Sequence, residues 1–296
     1  MRHPRILLLL LATTILVACH PTQTSSTHDS TLPYTDDYGN VVDVPTHPTR
    51  IVSVSPAITE IMYALGADSL LVGRTDFCRF PAECKDIESI GGISNLNIEK
   101  VLSLNPDLVL CGSMIPQSTI ETMLSLHLPS VCIIEQTRFD SLYSNIQKIG
   151  CLTSFEHEAD SLNAVLRRRV ASVVASYDTA MPKRPKIYYV VGFGEGGNFT
   201  AGGNTFINDI IWMAGGRNVA ESVTGWSISL EALFSADPDF IIIRSEDCET
   251  FCKTPPYNKL RAVKEGNLIA MDDGMLDLQV PRNIDAIERL HRAIYP

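Results

Sequence analysis

Two glutamates head a phrase that the 296-residue chain uses twice. Residues 99–110 read Glu-Lys-Val-Leu-Ser-Leu-Asn-Pro-Asp-Leu-Val-Leu, and residues 231–242 read Glu-Ala-Leu-Phe-Ser-Ala-Asp-Pro-Asp-Phe-Ile-Ile. Asn97 and Ser229 are natural N-caps, which puts Glu99 and Glu231 in the first turn of a helix. An acid there stabilises the helix dipole by about 0.3–1 kcal/mol. The same carboxylate at an exposed helix end is also placed to pair with a cationic partner, and spacing alone leaves both readings open.

A second group of residues offers apolar recognition. Phe77 and Phe193 fall in loops that follow predicted strands, and Trp226 sits in a Gly225-Trp226-Ser227 loop just ahead of the second phrase. Open α/β sheets bind ligands beyond the carboxyl ends of their strands. Three aromatics at such ends, spread over both halves of the chain, point to a cleft that accepts flat apolar surface.

Other constellations carry less. Gly192-Phe193-Gly194-Glu195-Gly196-Gly197 satisfies the dinucleotide fingerprint, but that fingerprint works only when its last glycine opens a helix. Here the loop runs on through Asn198 to Gly203, which argues against dinucleotide binding. No Gly-x-Ser-x-Gly elbow supports a hydrolase. Asp76, Asp272 and Asp273 offer carboxylates for a chelatase-like enzyme, yet no histidine accompanies them to handle metal or protons. Neither a Cys-x-x-Cys pair nor two histidines at helical spacing supports a metal site.

The elements that must position these residues alternate. Strands are expected at Arg50–Val54, Leu70–Gly73, Leu108–Cys111, Ile187–Val191, Phe240–Arg244 and Leu268–Met271, with helices at Ala57–Leu65, Thr205–Ala214 and Asn283–Ile294. A short hairpin is expected around Gly39-Asn40. This is an α/β fold of two parallel-sheet lobes, because a self-similarity at such long spacing implies paired lobes rather than a solenoid. Between them Thr153-x-x-Glu156 reads as a capping box. Leu162, Val165, Leu166, Val170, Val173, Val174 and Tyr177 then recur at helical spacing, so one long, stiff helix should join the lobes.

At the N-terminus Arg2 and Arg5 precede an apolar run from Ile6 to Val17, the pattern of an export signal and too short for a permanent span. It ends in Leu16-Val17-Ala18-Cys19, which resembles a bacterial lipobox and makes Cys19 the expected lipid attachment site. The expected organisation is a leader at 1–18, a polar tether at 19–33, an N-terminal lobe at 34–138, a connecting helical segment at 139–181 and a C-terminal lobe at 182–296. Losing Arg2 and Arg5 takes the formal net charge from −10 to −12, a poor match for nucleic acid or anionic lipid. Contact with membrane is expected through the anchor only. Of the seven remaining cysteines, Cys78 with Cys84 and Cys248 with Cys252 are the local candidates for disulfides in an oxidising compartment. Cys111, Cys132 and Cys151 have no such neighbour, and the odd count leaves at least one thiol unpaired.

From Tyr34 onward the chain resembles the cobalamin and iron-siderophore receptors of ABC importers, the substrate-binding proteins with a helical backbone. The resemblance rests on Arg50-Ile-Val-Ser-Val-Ser-Pro-Ala-Ile-Thr-Glu60, Tyr63-Ala-Leu-Gly66, Val72-Gly-Arg-Thr-Asp76 and Gly91-Gly-Ile-Ser-Asn-Leu-Asn-Ile-Glu99. The stretch from Gly225-Trp-Ser227 to Pro238-Asp239 and the late Pro281-Arg282 complete it. It implies a ligand held between two lobes, no covalent chemistry, and one acid per lobe, here Glu99 and Glu231, that meets arginines of the permease. It also implies a ligand site built from Ser55, Pro56, Asp76, Phe77, Phe193, Trp226 and Met275, with Ser55-Pro56 shaping the floor. Within the family the chain is more similar to the cobalamin receptors. It departs from them where Phe77 replaces a tyrosine, Ile93 and Met275 replace tryptophans, and Gly274 replaces a polar residue. The implied cargo is a corrinoid-like cobalt or iron chelate, with a ferric siderophore or haem as the alternative, taken up at the periplasmic or outer face of a bacterial membrane.

Overall fold

The computed structural model describes residues 30–177, 183–272 and 274–296. The leader, Cys19 and Asp273 lie outside the described residues. The chain opens with an antiparallel hairpin, β1 (Thr31–Thr35) and β2 (Val41–Pro45), turned through Gly39 at φ 84°. Strand β1 starts three residues inside the stretch expected to be tether.

The N-terminal lobe then runs β3 (Ile51–Val54), α1 (Pro56–Leu65), β4 (Leu71–Arg74), α2 (Ile98–Ser103), β5 (Leu108–Cys111), α3 (Gln117–Ser125) and β6 (Ser130–Cys132). Two helices follow, α4 (Ser141–Thr153) and α5 (Glu156–Ala175). The C-terminal lobe runs β7 (Lys186–Tyr189), α6 (Phe206–Met213), β8 (Arg217–Asn218), α7 (Leu230–Ala236), β9 (Phe240–Arg244), α8 (Cys248–Lys253), α9 (Arg261–Lys264), β10 (Leu268–Met271) and α10 (Asn283–Ile294).

Both lobes are parallel four-stranded sheets, ordered β4-β3-β5-β6 and β8-β7-β9-β10. In each, the lobe's second strand flanks the first, and the third and fourth follow on the other side. The topology is the same. The repeated phrase is the third strand of each lobe together with the helix that feeds it. Its caps form as expected: the Asn97 side chain accepts from Lys100 N at 2.9 Å and the Ser229 hydroxyl from Ala232 N at 3.1 Å. The aspartate after its proline ties the third strand to the first. Asp107 accepts from Thr49 N at 2.7 Å and Arg50 N at 3.0 Å, and Asp239 accepts from Lys186 N at 2.8 Å.

Desolvation raises the Asp239 carboxyl, but the Lys186 N–H and the Arg261 guanidinium outweigh it and hold the pKa below the ordinary aspartate value. A depressed carboxyl means the native state binds fewer protons than the unfolded one, so its contribution is present at neutral pH and lost as pH falls through the folded value. Asp239→Asn should therefore lower stability by about 1–2 kcal/mol at pH 7, reduced by its partial exposure. Urea melts of the two proteins should converge in acid.

Alternate residues of the central strands enter different cores. Ile51, Leu108, Leu110, Ile187 and Ile242 join one apolar cluster that runs from α1 and α4 through α5 to α6 and α10. Val52, Val54 and Val109 face a second cluster, and Ile241 and Ile243 a third. The first cluster is continuous through both lobes, with Leu166, Val170 and Val173 of α5 inside it.

The connector differs from expectation in its start. Thr153 ends α4, donating its hydroxyl to Ile149 O at 2.7 Å, and α5 is capped by Phe155 without a side-chain bond. Ser154, in the left-handed region at φ 62°, breaks the helix there. Gly150 allows the two helices to close up, since a Cβ at that position would lie 2.5 Å from that of Ala159. The single long helix joining the lobes is α5, which packs on α1 of the first lobe and on α6 and α10 of the second, with α4 folded against it. Val165, expected on the apolar face, is about half exposed, whereas Arg169 reaches α10 and pairs with Glu288 and Asp285 at 2.8 and 2.6 Å.

The cysteines also differ. All seven among the described residues are free thiols. Cys84 donates to the carbonyl of Cys78 at 3.2 Å, and the Cys78 sulfur lies 3.1 Å from the Thr59 hydroxyl. Cys248 and Cys252 sit one turn apart along α8. No helix among the described residues is long and apolar enough to cross a membrane.

Candidate functional site

Loops that follow strands of both sheets meet across a gap between the lobes. Between them lies a cavity of about 290 Å³, near the lower end for small-molecule pockets. Its N-terminal wall comes from the loops after β3, β4 and β5: Pro56, Phe77 and Arg79, Met114, and the nearby Ile93 and Ser94. Its C-terminal wall comes from the loop after β10, through Gly274, Asp277 and Leu278. Phe77 is 53% and Met114 69% exposed, so two large apolar side chains stand bare at the opening.

Backbone chemistry sets these walls. Gly112 runs against Ser55, where a Cβ would come within 2.7 Å of the serine Cβ. Pro56 takes the first position of α1, where a missing N–H loses nothing. Gly274 adopts φ 73°, a left-handed conformation natural to glycine, and brings its loop close to Arg282.

Behind the cavity a smaller hollow of about 50 Å³ extends past Phe80 to a charged pair. Arg282, just ahead of α10, makes a two-pronged contact with Glu60 of α1, Nε to Oε1 at 2.9 Å and Nη2 to Oε2 at 2.8 Å. The guanidinium also lies 3.8 Å over the Phe80 ring. Burial pushes the Glu60 carboxyl above its ordinary value while the Arg282 fork pulls it back. Two segments singled out by sequence, Ser55 to Glu60 and Pro281-Arg282, meet here as one tie between the lobes.

Of the expected ligand residues, Pro56 and Phe77 line the cavity. Ser55 is buried beneath it, its carbonyl accepting from the Ser53 hydroxyl at 3.0 Å. Asp76 is exposed but turned to its own loop: its N–H donates to Gly91 O at 3.0 Å and its carboxylate accepts from Ser89. Phe193 stands edge-on to Phe251 and Tyr257, ring centres 5.1 and 5.7 Å away, and so packs with the C-terminal lobe's own core. Met275 is buried beside the cavity wall. Trp226 is 48% exposed on a loop fastened by its carbonyl to Thr200 N at 3.0 Å, apart from the residues lining the cavity.

Arg79, Met114, Asp277 and Leu278 were not signalled by any motif. Asp277 is the most organised of them. It accepts from the Tyr189 hydroxyl at 2.8 Å and from Arg244 Nη2 at 3.1 Å, groups at the carboxyl ends of β7 and β9. Among the described residues lining the cavity there is no histidine or tyrosine to ligate iron. The Gly192–Gly197 loop folds back through a bridge between Gly192 and Phe199 and does not open α6.

Glu99 and Glu231 are exposed in the first turns of α2 and α7, with no ion-pair partner among the described residues. One turn along each helix an apolar side chain is also exposed, Leu102 and Phe234.

A family model described as periplasmic binding protein matches residues 51–274. The chain is 28% identical over 270 residues to YvrC of Bacillus subtilis, an uncharacterized ABC transporter substrate-binding lipoprotein, covering 88% of this chain and 85% of that protein. It is 28% identical to a cobalamin-binding protein of Halobacterium salinarum, over 88% of this chain and 73% of the relative. A periplasmic heme binding protein of Pseudomonas aeruginosa superposes with a TM-score of 0.75 at 27% identity, over 84% of this chain and 93% of that one.

Proposed function

The chain belongs to the periplasmic binding protein family, whose members bind rather than convert their ligands, and from that premise we propose a receptor that captures a corrinoid-like metal chelate and delivers it to an ABC importer. The observation that carries this reading is the interlobe cavity, open-mouthed and walled by the bare faces of Phe77 and Met114. Such walls suit the flat apolar body of a large chelate. The absence of histidine and tyrosine from the described wall favours cargo whose metal already has its full set of ligands over cargo that the protein must ligate. The similarity to a cobalamin-binding protein over most of the chain supports the same choice.

The remaining parts of the reading are attachment through Cys19 and docking through Glu99 and Glu231. Each lobe offers an equivalent acid, which suits a permease surface presenting arginines to both.

Titration of the purified protein with cyanocobalamin, haemin and a ferric hydroxamate siderophore tests the cargo. Cyanocobalamin should saturate one site with Kd about 1 µM or tighter, with measurable heat. Tight haemin or siderophore binding without any response to cyanocobalamin would overturn the corrinoid reading and establish the alternative.

A further inference from the structure

We infer that Gln279 is a positioning residue that sets the width of the interlobe cavity, holding its two facing walls apart through the chain segment that crosses between the lobes. The inference rests on the reading of that cavity as the cargo site and holds for whichever chelate fills it.

The crossing segment is residues 133–140, between β6 and α4. It begins fastened to the N-terminal lobe: Ile133 N donates to Cys111 O at 2.8 Å, and Glu135 N to the Ser113 hydroxyl at 2.8 Å. Ser113 is the chain neighbour of Met114, which stands on the N-terminal wall. The next residue turns to the opposite wall. Gln136 O accepts from Gln279 Nε2, and Gln279 is the chain neighbour of Leu278 on the C-terminal wall. Glu135 and Gln136 are thus a two-residue spacer between the backbones that carry Met114 and Leu278.

Gln279 is buried and uses both ends of its amide on this segment. Its Nε2 also donates to Arg138 O at 3.1 Å, and its Oε1 accepts from the Ser141 hydroxyl at 2.7 Å. The segment is not free to follow a moving wall. Asp209, in the first turn of α6, accepts from Phe139 N at 3.1 Å and pairs with Arg138 at 3.4 Å. The loop bearing Gln279 is braced as well, because the buried Asn283 side chain donates to Met275 O at 2.7 Å and Leu278 O at 3.0 Å. Neither Gln279 nor Ser113 lines the cavity, so each acts on cargo through its neighbour. A wall fixed before capture spares the cost of ordering it on binding, and loosening it shows mainly as faster release.

Release of labelled cyanocobalamin, chased with unlabelled ligand, tests this, since a dissociation rate does not depend on how much of a preparation is folded. Gln279→Met keeps the length and removes the amide; Ser113→Ala cuts the spacer from the other wall. Each should speed release roughly tenfold, about what one neutral hydrogen bond contributes. Both act through one spacer, so the double variant should also release roughly tenfold faster rather than the roughly hundredfold of independent sites. Ser113→Ala leaves the buried amide in place and carries the test alone where Gln279→Met does not fold. Single variants within about twofold of the unaltered protein, or a roughly hundredfold effect in the pair, overturn the inference and leave the corrinoid reading intact. Where haemin or the ferric siderophore binds and cyanocobalamin does not, the corrinoid reading falls and the same rates, read with that chelate, decide the inference. Binding of none of the three overturns both together.

Discussion

Reversing Glu99 and Glu231 together to lysine should abolish import of cobalamin by cells while leaving the purified protein's affinity for cyanocobalamin unchanged. Neither side chain approaches the cavity, and neither has an ion-pair partner within the described fold. Their contribution to the protein itself is the helix-dipole interaction, about 0.3–1 kcal/mol each. That is too little to unfold a molecule with three apolar cores. Across an interface the same charges weigh far more. Loss of one partner of a desolvated interface pair costs about 2–5 kcal/mol, and a lysine there adds repulsion. With two such sites the docking equilibrium should weaken by at least about a thousandfold. Labelled cobalamin uptake in cells carrying the double variant, alongside calorimetry on the purified protein, separates docking from capture. Normal uptake would return both glutamates to the helix-dipole role. Leu102 and Phe234, one turn beyond each acid, repeat the symmetry of the pair.

The scaffold was legible because its signals are local. Leu108–Cys111, Phe240–Arg244 and Leu268–Met271 are short apolar runs bounded by proline, glycine or charge, and the structure keeps those bounds. The terminal helix keeps its bounds for the same reason. Pro56 and Phe77 could be placed on the cavity because a strand end in a parallel sheet determines where the following loop goes. The same rule does not give the packing of Phe193. After β7 the chain makes a further bridge between Gly192 and Phe199, which turns the ring onto Phe251 and Tyr257, residues more than fifty positions away. Asp277 was silent because its partners lie 33 and 88 residues distant, and nothing in Leu-Asp-Leu-Gln marks a wall. The capping box at Thr153 failed for a local reason. Ser154 takes the left-handed turn and leaves the threonine to finish the previous helix.

Arg282→Met should be the most destabilising of these single changes, and its effect should grow with pH. Glu60 is 4% exposed and Arg282 12%, so the pair is shielded from solvent. Removing one partner of such a pair costs about 3–5 kcal/mol, because a charge remains buried alone. Burial pushes the Glu60 carboxyl up and the guanidinium opposes it. Without Arg282 only the upward push remains. A carboxyl raised in the folded state makes the native protein bind a proton more tightly than the unfolded chain does. Stability of the variant should therefore fall as pH rises from the unfolded glutamate value through the raised one, and recover in acid. Urea melts at pH 5 and pH 8 read this directly. A variant that loses as much at pH 5 as at pH 8 would show that packing, including the guanidinium over Phe80, outweighs the charge. The pair Glu60→Leu with Arg282→Met removes both charges and should regain most of the stability, since well-packed apolar residues replace buried ion pairs with little loss. Recovery in the pair but not in the single variant identifies Glu60 as the charge that Arg282 neutralises. It also accounts for why an acid in α1 and an arginine 222 residues later belong to one device: they join the two lobes directly behind the cavity wall.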